Sequence, residues 1–89
     1  MAYADTESYE QMIQALQTFL SGLQEQCQAM KAAGEDCLDN TDQDDNVRPR
    51  VGELQECVGQ IQSTFGTIEG IIQGLQQELQ RILESGSGN

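Results

Sequence analysis

The residues best suited to chemistry lie in a short acidic stretch near the middle of the chain. In a register that starts at Asp42, oxygen-bearing side chains fall at the first, third, fifth and twelfth positions of an EF-hand calcium loop, namely Asp42, Asp44, Asn46 and Glu53. Two departures count against calcium, because Val47 stands where the sharp turn needs Gly and Pro49 stiffens the stretch that should wrap the ion. A solvated, helix-capping loop is the simpler interpretation, so we predict no metal site and no cofactor.

Three cysteines are the other reactive groups, and the chain has no histidine to accompany them. Without an imidazole or a C-x-x-C pair, neither thiol catalysis nor a thiolate metal site is favoured, and we expect no enzymatic activity. Cys27 and Cys37 fit the apolar side of a helix, where a thiol behaves as a small hydrophobic residue. If the chain folds back near residue 43, Cys57 lies level with Cys27, so a disulfide between them is the alternative in an oxidising compartment.

Length and charge narrow the function classes further. The chain has 89 residues, which suffice for one small domain, and a formal net charge of −11. That charge argues against binding nucleic acid or anionic lipid through a basic patch. The sequence also lacks an apolar run of the roughly 18 to 20 residues that a membrane span needs, and lacks an ordinary secretion signal. We therefore expect a cytoplasmic protein with a protein partner, no nucleic acid and no membrane insertion.

Apolar residues recur every seven positions in both halves of the chain, a pattern typical of helices that pack along a seam. In the first half, the two interleaved series are Tyr9, Leu16, Leu23, Met30 and Cys37, and Ile13, Leu20 and Cys27. In the second half, they are Val47, Leu54, Ile61, Ile68, Leu75 and Ile82, and Val51, Val58, Phe65, Ile72 and Leu79. The pattern predicts an all-α fold, an antiparallel two-helix hairpin formed by residues 1–84.

Turn-forming and acidic residues separate the two halves and predict a loop there. The acidic residues of this region are Glu35, Asp36, Asp39, Asp42, Asp44 and Asp45. Pro49 suits the first turn of the second helix, where its missing N–H would have no partner. Asp44, Asp45 or Asn46 can cap that turn.

The helix ends are predicted from residues that commonly stop or start helices. Gly34 and the acidic residues after it favour an early end for the first helix, whereas the seven-residue series continues to Cys37. We predict helices over about 6–38 and 46–84. The Ser- and Gly-rich residues 85–89 are predicted to form a flexible tail.

Glycines are frequent in the second helix, although each costs about 1 kcal/mol relative to Ala in a helix interior. Gly66, Gly70 and Gly74 are four residues apart and form a smooth strip along one side. The strip is either tolerated on a solvent-exposed side or is a place where another helix approaches closely. We interpret it as a partner contact.

The apolar face broadens away from the loop. Met12, Phe19, Ile71 and Leu83 add to the regular series at that end. This is more apolar surface than one seam needs, so we expect a partner or a second copy to dock there and complete a four-helix or larger bundle. A locally wider contact between the two helices is the alternative.

A small acidic chain with two long helices around a central turn resembles the WXG family of type VII secretion proteins and the related small helical partners of LXG toxins in Gram-positive bacteria. The resemblance covers residues 6–84. The family's Trp-x-Gly motif is missing because the chain has no Trp, and Gly52 is its nearest remnant. The aromatic-x-x-x-acid export signal has one match, Phe65 with Glu69, in the middle of the second helix.

The resemblance implies a hairpin that pairs with itself or with the helical N-terminal region of a toxin. Its role would be a targeting factor or chaperone for export that is independent of a signal peptide. Two other functions stay open from the residues: an acidic regulatory protein that mimics nucleic acid, and a divalent-ion-binding adaptor. The predicted partner-binding residues are Met12, Phe19, Gly66, Gly70, Ile71, Gly74 and Leu83.

Overall fold

A computed structural model describes residues 5–40 and 45–87 of the chain. These residues form three α-helices in chain order: α1 over Thr6–Asn40, α2 over Val47–Ser63 and α3 over Phe65–Ser87. Only Thr64 separates α2 from α3, so the described part of the chain consists of two long helical stretches, the second of them interrupted. The prediction of an all-α fold is confirmed.

Helix α1 begins where the sequence predicted, and Asp5 is the reason. Its carboxylate accepts hydrogen bonds from the backbone N–H of Glu7 at 3.1 Å and of Ser8 at 3.2 Å. The Ser8 hydroxyl donates a third, at 2.7 Å. The first N–H groups of a helix have no partner within the helix, so an acidic side chain just before it satisfies them and complements the helix dipole.

The end of α1 lies at Asn40, beyond both of the ends that the sequence suggested. The expectation that Gly34 stops the helix is wrong, because Gly34 belongs to the helix–helix contact. It is buried, and a Cβ added there would lie 3.2 Å from Val51 Cγ1 and 3.8 Å from Leu54 Cδ2. At the true end, the Asn40 side-chain amide donates to the backbone carbonyl of Asp36 at 2.9 Å, which satisfies one carbonyl of the last turn.

Helix α2 begins at Val47, within the predicted range, and Pro49 lies in its first turn as expected. Asn46 occupies the N-cap position, but its backbone is helical and its side chain makes no capping hydrogen bond. Of the other two predicted caps, Asp45 is an exposed turn residue and Asp44 lies outside the described residues.

The second helical stretch was predicted to run unbroken from 46 to 84, and this is wrong at Thr64. Two consecutive hydroxyls bond back to the helix: Ser63 Oγ to the Gln60 carbonyl and Thr64 Oγ1 to the Ile61 carbonyl, each at 2.6 Å. The Thr64 N–H also bonds to the Ile61 carbonyl, at 3.0 Å. Such back-bonding competes with the regular i to i−4 pattern and interrupts the helix locally.

The predicted flexible tail is also wrong in part. Residues 85–87 continue α3, which ends at Ser87, while residues 88 and 89 lie outside the described part of the chain. Within the described residues, the structure contains no helix long and apolar enough to span a bilayer.

Contacts divide the chain into two compact units. Met1–Ser21 and Gly66–Asn89 form the terminal unit, and Gly22–Phe65 forms the central unit. Helix α1 therefore contributes to both, whereas α2 belongs to the central unit and nearly all of α3 to the terminal unit.

The core of the central unit is made of small side chains. Cys27 is fully buried and Val58 is 1% exposed, and they are joined by the buried Val51 and Gly34. The short distance from an added Gly34 Cβ to Val51 places these two residues opposite each other in this unit. None of the three cysteines, all of them described, is in a disulfide, and Cys57 is exposed whereas Cys27 is buried.

The core of the terminal unit is made of larger side chains. Ile13 and Leu20 of α1 and Ile72 of α3 are buried. The other seven-residue series is only half-buried in this unit, with Tyr9, Leu16, Ile68, Leu75 and Ile82. One series therefore forms the centre of the seam, and the other lies along one edge of it.

Candidate protein-binding surface

Four large apolar side chains are exposed among the described residues, and all four lie in the terminal unit. Phe19 is 57% exposed and Ile71 is 50% exposed, and the remaining two are Met12 and Leu83. These are the four residues that the sequence analysis added to the regular seam. Exposed apolar side chains that cluster on a small protein indicate an interaction surface.

Three of the four share one side of the helix pair. Met12, Phe19 and Ile71 each precede a buried residue by one position. Each side chain therefore points about 100° away from the seam, and the rotation about the helix axis has the same direction in both helices. Because α1 and α3 run antiparallel within the unit, the same sense on both helices means the same side of the pair. We call Met12, Phe19 and Ile71 the apolar flank.

The apolar flank continues into the seam. The half-buried series lies between the buried residues and the flank, because each of its members follows a buried position by three or precedes it by four. In the terminal unit, its members nearest to the flank are Tyr9, Leu16, Ile68 and Leu75. Exposed and half-buried apolar side chains thus form one continuous surface.

The opposite flank of the same unit is polar. Residues that follow a buried position by four or precede it by three lie there, and all of the four in the middle of the unit are exposed: Glu10, Gln17, Glu69 and Gln76. The two flanks of the terminal unit therefore differ in kind, one apolar and uncharged, the other hydrophilic and acidic.

Leu83 is not part of the apolar flank. It lies 11 residues after the buried Ile72, which corresponds to about 20° around the helix axis, so it continues the line of the α3 seam and is turned about 120° from Ile71. Its 46% exposure near the end of α3 makes it a separate apolar spot. The structure therefore does not bring all four exposed residues together.

The glycine strip is exposed and lies mostly away from the seam. A Cβ added to Gly66, Gly70 or Gly74 would meet nothing within 4 Å. Gly70 precedes Ile72 by two residues and points about 160° away from the seam, whereas Gly74 lies next to the apolar flank. The close packing that we expected at the strip is therefore not made within the chain, and its role in partner contact stays a prediction.

The described charged groups nearest to the apolar surface lie at one end of it, near the start of α1 and in the last turns of α3. Glu78 and Arg81 form an ion pair on α3, with the Arg81 Nε donating to Glu78 Oε1 at 3.0 Å. This hydrogen bond holds the pKa of Glu78 below its ordinary value and raises that of Arg81. At the start of α1, the hydrogen bonds from Ser8 lower the pKa of the Asp5 carboxyl. Each of these groups makes its hydrogen bonds with residues two or three positions away on its own helix, at exposed positions.

A shallow depression on the outward side of α1 was not predicted from the sequence, and of its lining residues Ala15 is the one that borders the apolar flank. It is lined by Gln11, Gln14, Ala15 and Thr18 of α1. Ala15 follows Met12 by three residues and precedes Phe19 by four, so it lies directly beside both on the helix surface. The sequence feature that could have indicated the depression is a small residue, Ala15, between Met12 and Phe19 at helical spacing.

The predicted export pair lies at the start of α3. Phe65 is the first residue of this helix and is half-buried in the seam series, and Glu69 is exposed one turn later. Their spacing places them on neighbouring positions of one helix surface. The export role of this pair stays a prediction.

The calcium candidates are only partly described. Asp42 and Asp44 lie outside the described residues. Glu53 is in α2, where its carboxylate pairs with Arg50 at 3.2 Å, and Asn46 directly precedes that helix. Among the residues that the structure covers, no group of three or more Cys, Asp or Glu side chains is placed to hold a metal ion.

These features give a helical protein whose described part has an apolar surface and a polar flank on its terminal unit. Searches against models of known protein families, against curated proteins and against solved structures each found no match.

Proposed function

We propose that the chain is a non-enzymatic helical binding module, a targeting factor or chaperone that pairs with the helical N-terminal region of a type VII secreted toxin of the LXG kind. The observation that carries the proposal is the exposure of Met12, Phe19 and Ile71 on one side of the terminal unit. A surface of this kind suits the apolar face of a partner helix, which docks through residues spaced three and four apart.

Pairing with partner helices would cover apolar surface that the chain's own two helical stretches leave exposed. Two helices can each bury one stripe only, and small chains of this size keep a large fraction of their surface in water. Partner helices laid along the apolar surface would complete a four-helix or larger bundle, in which the half-buried series becomes fully buried. Gly66, Gly70 and Gly74 belong to the proposed contact as a second region, because partner helices can approach closely where no Cβ intervenes. Leu83 belongs to it as an exposed apolar side chain near the end of α3.

Co-expression with the N-terminal helical region of an LXG toxin tests the proposal. The two chains are expected to co-purify as a complex of defined stoichiometry, measured by size-exclusion chromatography with light scattering. Phe19→Ser is expected to weaken the complex by roughly 30-fold or more, as a buried aromatic anchor would. Gln17→Ser, on the exposed polar flank of α1, is the matched control. Absence of any complex with such helices would reject the proposal.

The glycine strip has its own test in the same assay. Gly70→Leu is expected to weaken partner binding while preserving or raising the helicity of the unbound chain, since Leu is a better helix former and nothing in the chain opposes it. Unchanged binding would remove the strip from the contact and leave the apolar flank as the docking surface.

The alternative with a specific observation behind it is an acidic protein that mimics nucleic acid, since the net charge is −11. Replacing Asp42, Asp44 and Asp45 with Asn separates the hypotheses. The substitution should abolish the activity of a nucleic-acid mimic or of a divalent-ion adaptor, and should leave helix pairing nearly unchanged.

Secretion assays of the complex, with and without Phe65→Ala and Glu69→Ala, test whether the chain leaves the cytoplasm with its partner.

A further inference from the structure

We propose that the turn at Thr64 is a conformational switch, at which the second helical stretch changes between an interrupted and a continuous helix. In the interrupted state, which the structure shows, α2 ends at Ser63 and α3 begins at Phe65. In the continuous state, Thr64 joins the two into one helix. The switch goes beyond the proposed binding function, because it is a property of the chain alone and sets how firmly the first turns of α3 are held.

Side-chain hydroxyls hold the interrupted state. In an unbroken helix, the Ile61 carbonyl accepts the N–H of Phe65, four residues later. Here it accepts two hydrogen bonds from Thr64, one from the backbone N–H at 3.0 Å and one from the hydroxyl at 2.6 Å. A carbonyl oxygen has two lone pairs, so these two bonds occupy both of them. The Ser63 hydroxyl likewise bonds to the Gln60 carbonyl, which is the regular acceptor of the Thr64 N–H.

The backbone does not enforce the interruption. Thr64 has φ −86° and ψ −10°, and no described residue has a positive φ. Changes of about 20° in φ and about 30° in ψ would bring Thr64 to the regular helical conformation. The single proline of the chain, Pro49, lies in the first turn of α2 and not at this turn. The interruption therefore depends on side-chain hydrogen bonds, each of which contributes little net free energy.

The apolar pattern of the sequence continues through the turn. Ile61 and Ile68 belong to one seven-residue series, and Val58 and Phe65 belong to the other, so the spacing is unchanged across Thr64. A continuous helix would keep all of these residues on one side. The pattern therefore favours the continuous state, whereas the hydroxyls favour the interrupted state. Such a balance allows both states to be populated.

The surroundings of the turn leave room for both states. Ser63 and Thr64 are exposed, and so are Gly66 and Thr67 at the start of α3. A Cβ added to Gly66 would meet nothing within 4 Å. The boundary between the two compact units also falls directly after Phe65. A change of backbone hydrogen bonding here therefore requires little repacking within either unit, and such segments open at low free-energy cost.

The switch acts on the start of α3. The first N–H groups of a helix have no acceptor within that helix, so in the interrupted state Phe65, Gly66 and Thr67 are weakly held. In the continuous state, the carbonyls at the end of α2 accept from them. Ile71 of the apolar flank lies in the next two turns of α3. The switch thereby controls how firmly the α3 part of the apolar surface is held.

Amide hydrogen exchange of the full chain, followed residue by residue by NMR, tests the switch. Ser63→Ala combined with Thr64→Val removes both hydroxyls, and Val keeps the branched shape of Thr. The protection factors of the Phe65, Gly66 and Thr67 amides are expected to rise about tenfold or more in this variant, because their acceptors become available. Thr67→Val is the matched control, since it is the same change at an exposed position three residues later. It should leave the protection of Phe65 and Gly66 unchanged.

The Cα chemical shift of Thr64 gives a second readout, which reports the two states directly. In the wild-type chain it is expected to lie between coil and helical values. Trifluoroethanol favours helix, so low concentrations should move this shift to the helical value before the shifts of the rest of the chain change. Circular dichroism of each variant checks that the other helices remain.

Wild-type protection at Phe65–Thr67 as high as in the middle of α3 would show a helix that is already continuous, and would overturn the switch. Equal protection in the wild type and the double variant would show that the hydroxyls do not hold the interrupted state, and would overturn it as well. A Thr64 shift that changes only together with the whole chain would contradict two local states. None of these measurements uses a partner, so failure of the switch and failure of the toxin pairing are distinguishable.

Discussion

The central and terminal units each pack two helical segments along a seam, but the side chains buried in the two seams differ in size. In the central unit, the buried positions hold Cys27, Gly34, Val51 and Val58, and small side chains allow two helices to approach closely. In the terminal unit, the equivalent seven-residue positions hold Ile13, Leu20 and Ile72. The central unit has no exposed large apolar side chain among its described residues, and the terminal unit has four.

The difference separates packing for stability from packing for recognition. A close contact between small residues leaves little apolar surface uncovered, so two helices suffice in the central unit. In the terminal unit, Met12, Phe19 and Ile71 are turned about 100° away from the seam, so the neighbouring helix does not cover them and they remain in water. Such a surface is costly unless another helix covers it, which is why we assign the binding function to the terminal unit.

The largest effect is expected from breaking the central core. Val58→Asp places a carboxylate at a position that is 1% exposed, in a core whose described residues include no buried polar or charged side chain. Burying a charge without a partner costs several kcal/mol, so the free energy of unfolding should fall by about 3 to 5 kcal/mol. Thermal unfolding followed by circular dichroism measures it. Cys57→Asp, one residue earlier and exposed, is the control and should change stability little.

A smaller loss of stability is expected from adding a side chain at the close helix–helix contact of Gly34. Gly34→Leu forces a side chain into the space where Val51 Cγ1 already lies 3.2 Å from an added Cβ. Overpacking of this kind costs about 1 to 3 kcal/mol, although Leu is the better helix former. Gly52→Leu meets nothing within 4 Å and should raise stability instead. If both variants moved stability in the same direction, the close contact at Gly34 would be wrong.

Periodicity alone was sufficient to predict the helices and most of the core. The seven-residue series placed Ile13, Leu20, Val58 and Ile72 in the seam, and all four are buried. Gly34 was misread because a glycine near acidic residues has the composition of a helix end. It nevertheless continues the series of Ile13, Leu20 and Cys27 by seven residues, and the distance from an added Cβ to Val51 shows that it is a packing position.

Two features could not be predicted from residue spacing: the break in the second helical stretch and the arrangement of the exposed apolar residues. The break at Thr64 depends on where two adjacent hydroxyls direct their hydrogen bonds, a choice that periodicity does not encode. The exposed residues were predicted correctly as extra apolar surface, but separating Leu83 from Phe19 and Ile71 required the direction of each side chain relative to the buried positions.

A modest gain in stability is expected in the terminal unit. Gly70→Ala replaces a helical glycine whose added Cβ would meet nothing, so the free energy of unfolding should rise by about 1 kcal/mol. The same substitution at Gly34 should gain less, because its Cβ must fit against Val51. Thermal unfolding of the two variants side by side measures the difference. Equal gains would mean that the two units pack with similar freedom, contrary to the comparison.

The smallest effect is expected at the first turn of α1, in the terminal unit. Hydrogen bonds from Ser8 and Glu7 lower the pKa of Asp5 from its ordinary value of 3.8, so its stabilisation of the helix start is fully present above pH 3.8. The stabilisation is lost as the pH falls from there through the lower pKa of the folded state, because the protonated carboxyl is a poorer acceptor. The Glu7 and Ser8 amide resonances should therefore shift with a midpoint below 3.8 in NMR titrations. Asp5→Asn should remove most of this pH dependence while retaining a side-chain oxygen for the cap. A midpoint at or above 3.8 would show that these hydrogen bonds do not hold the first turn in solution.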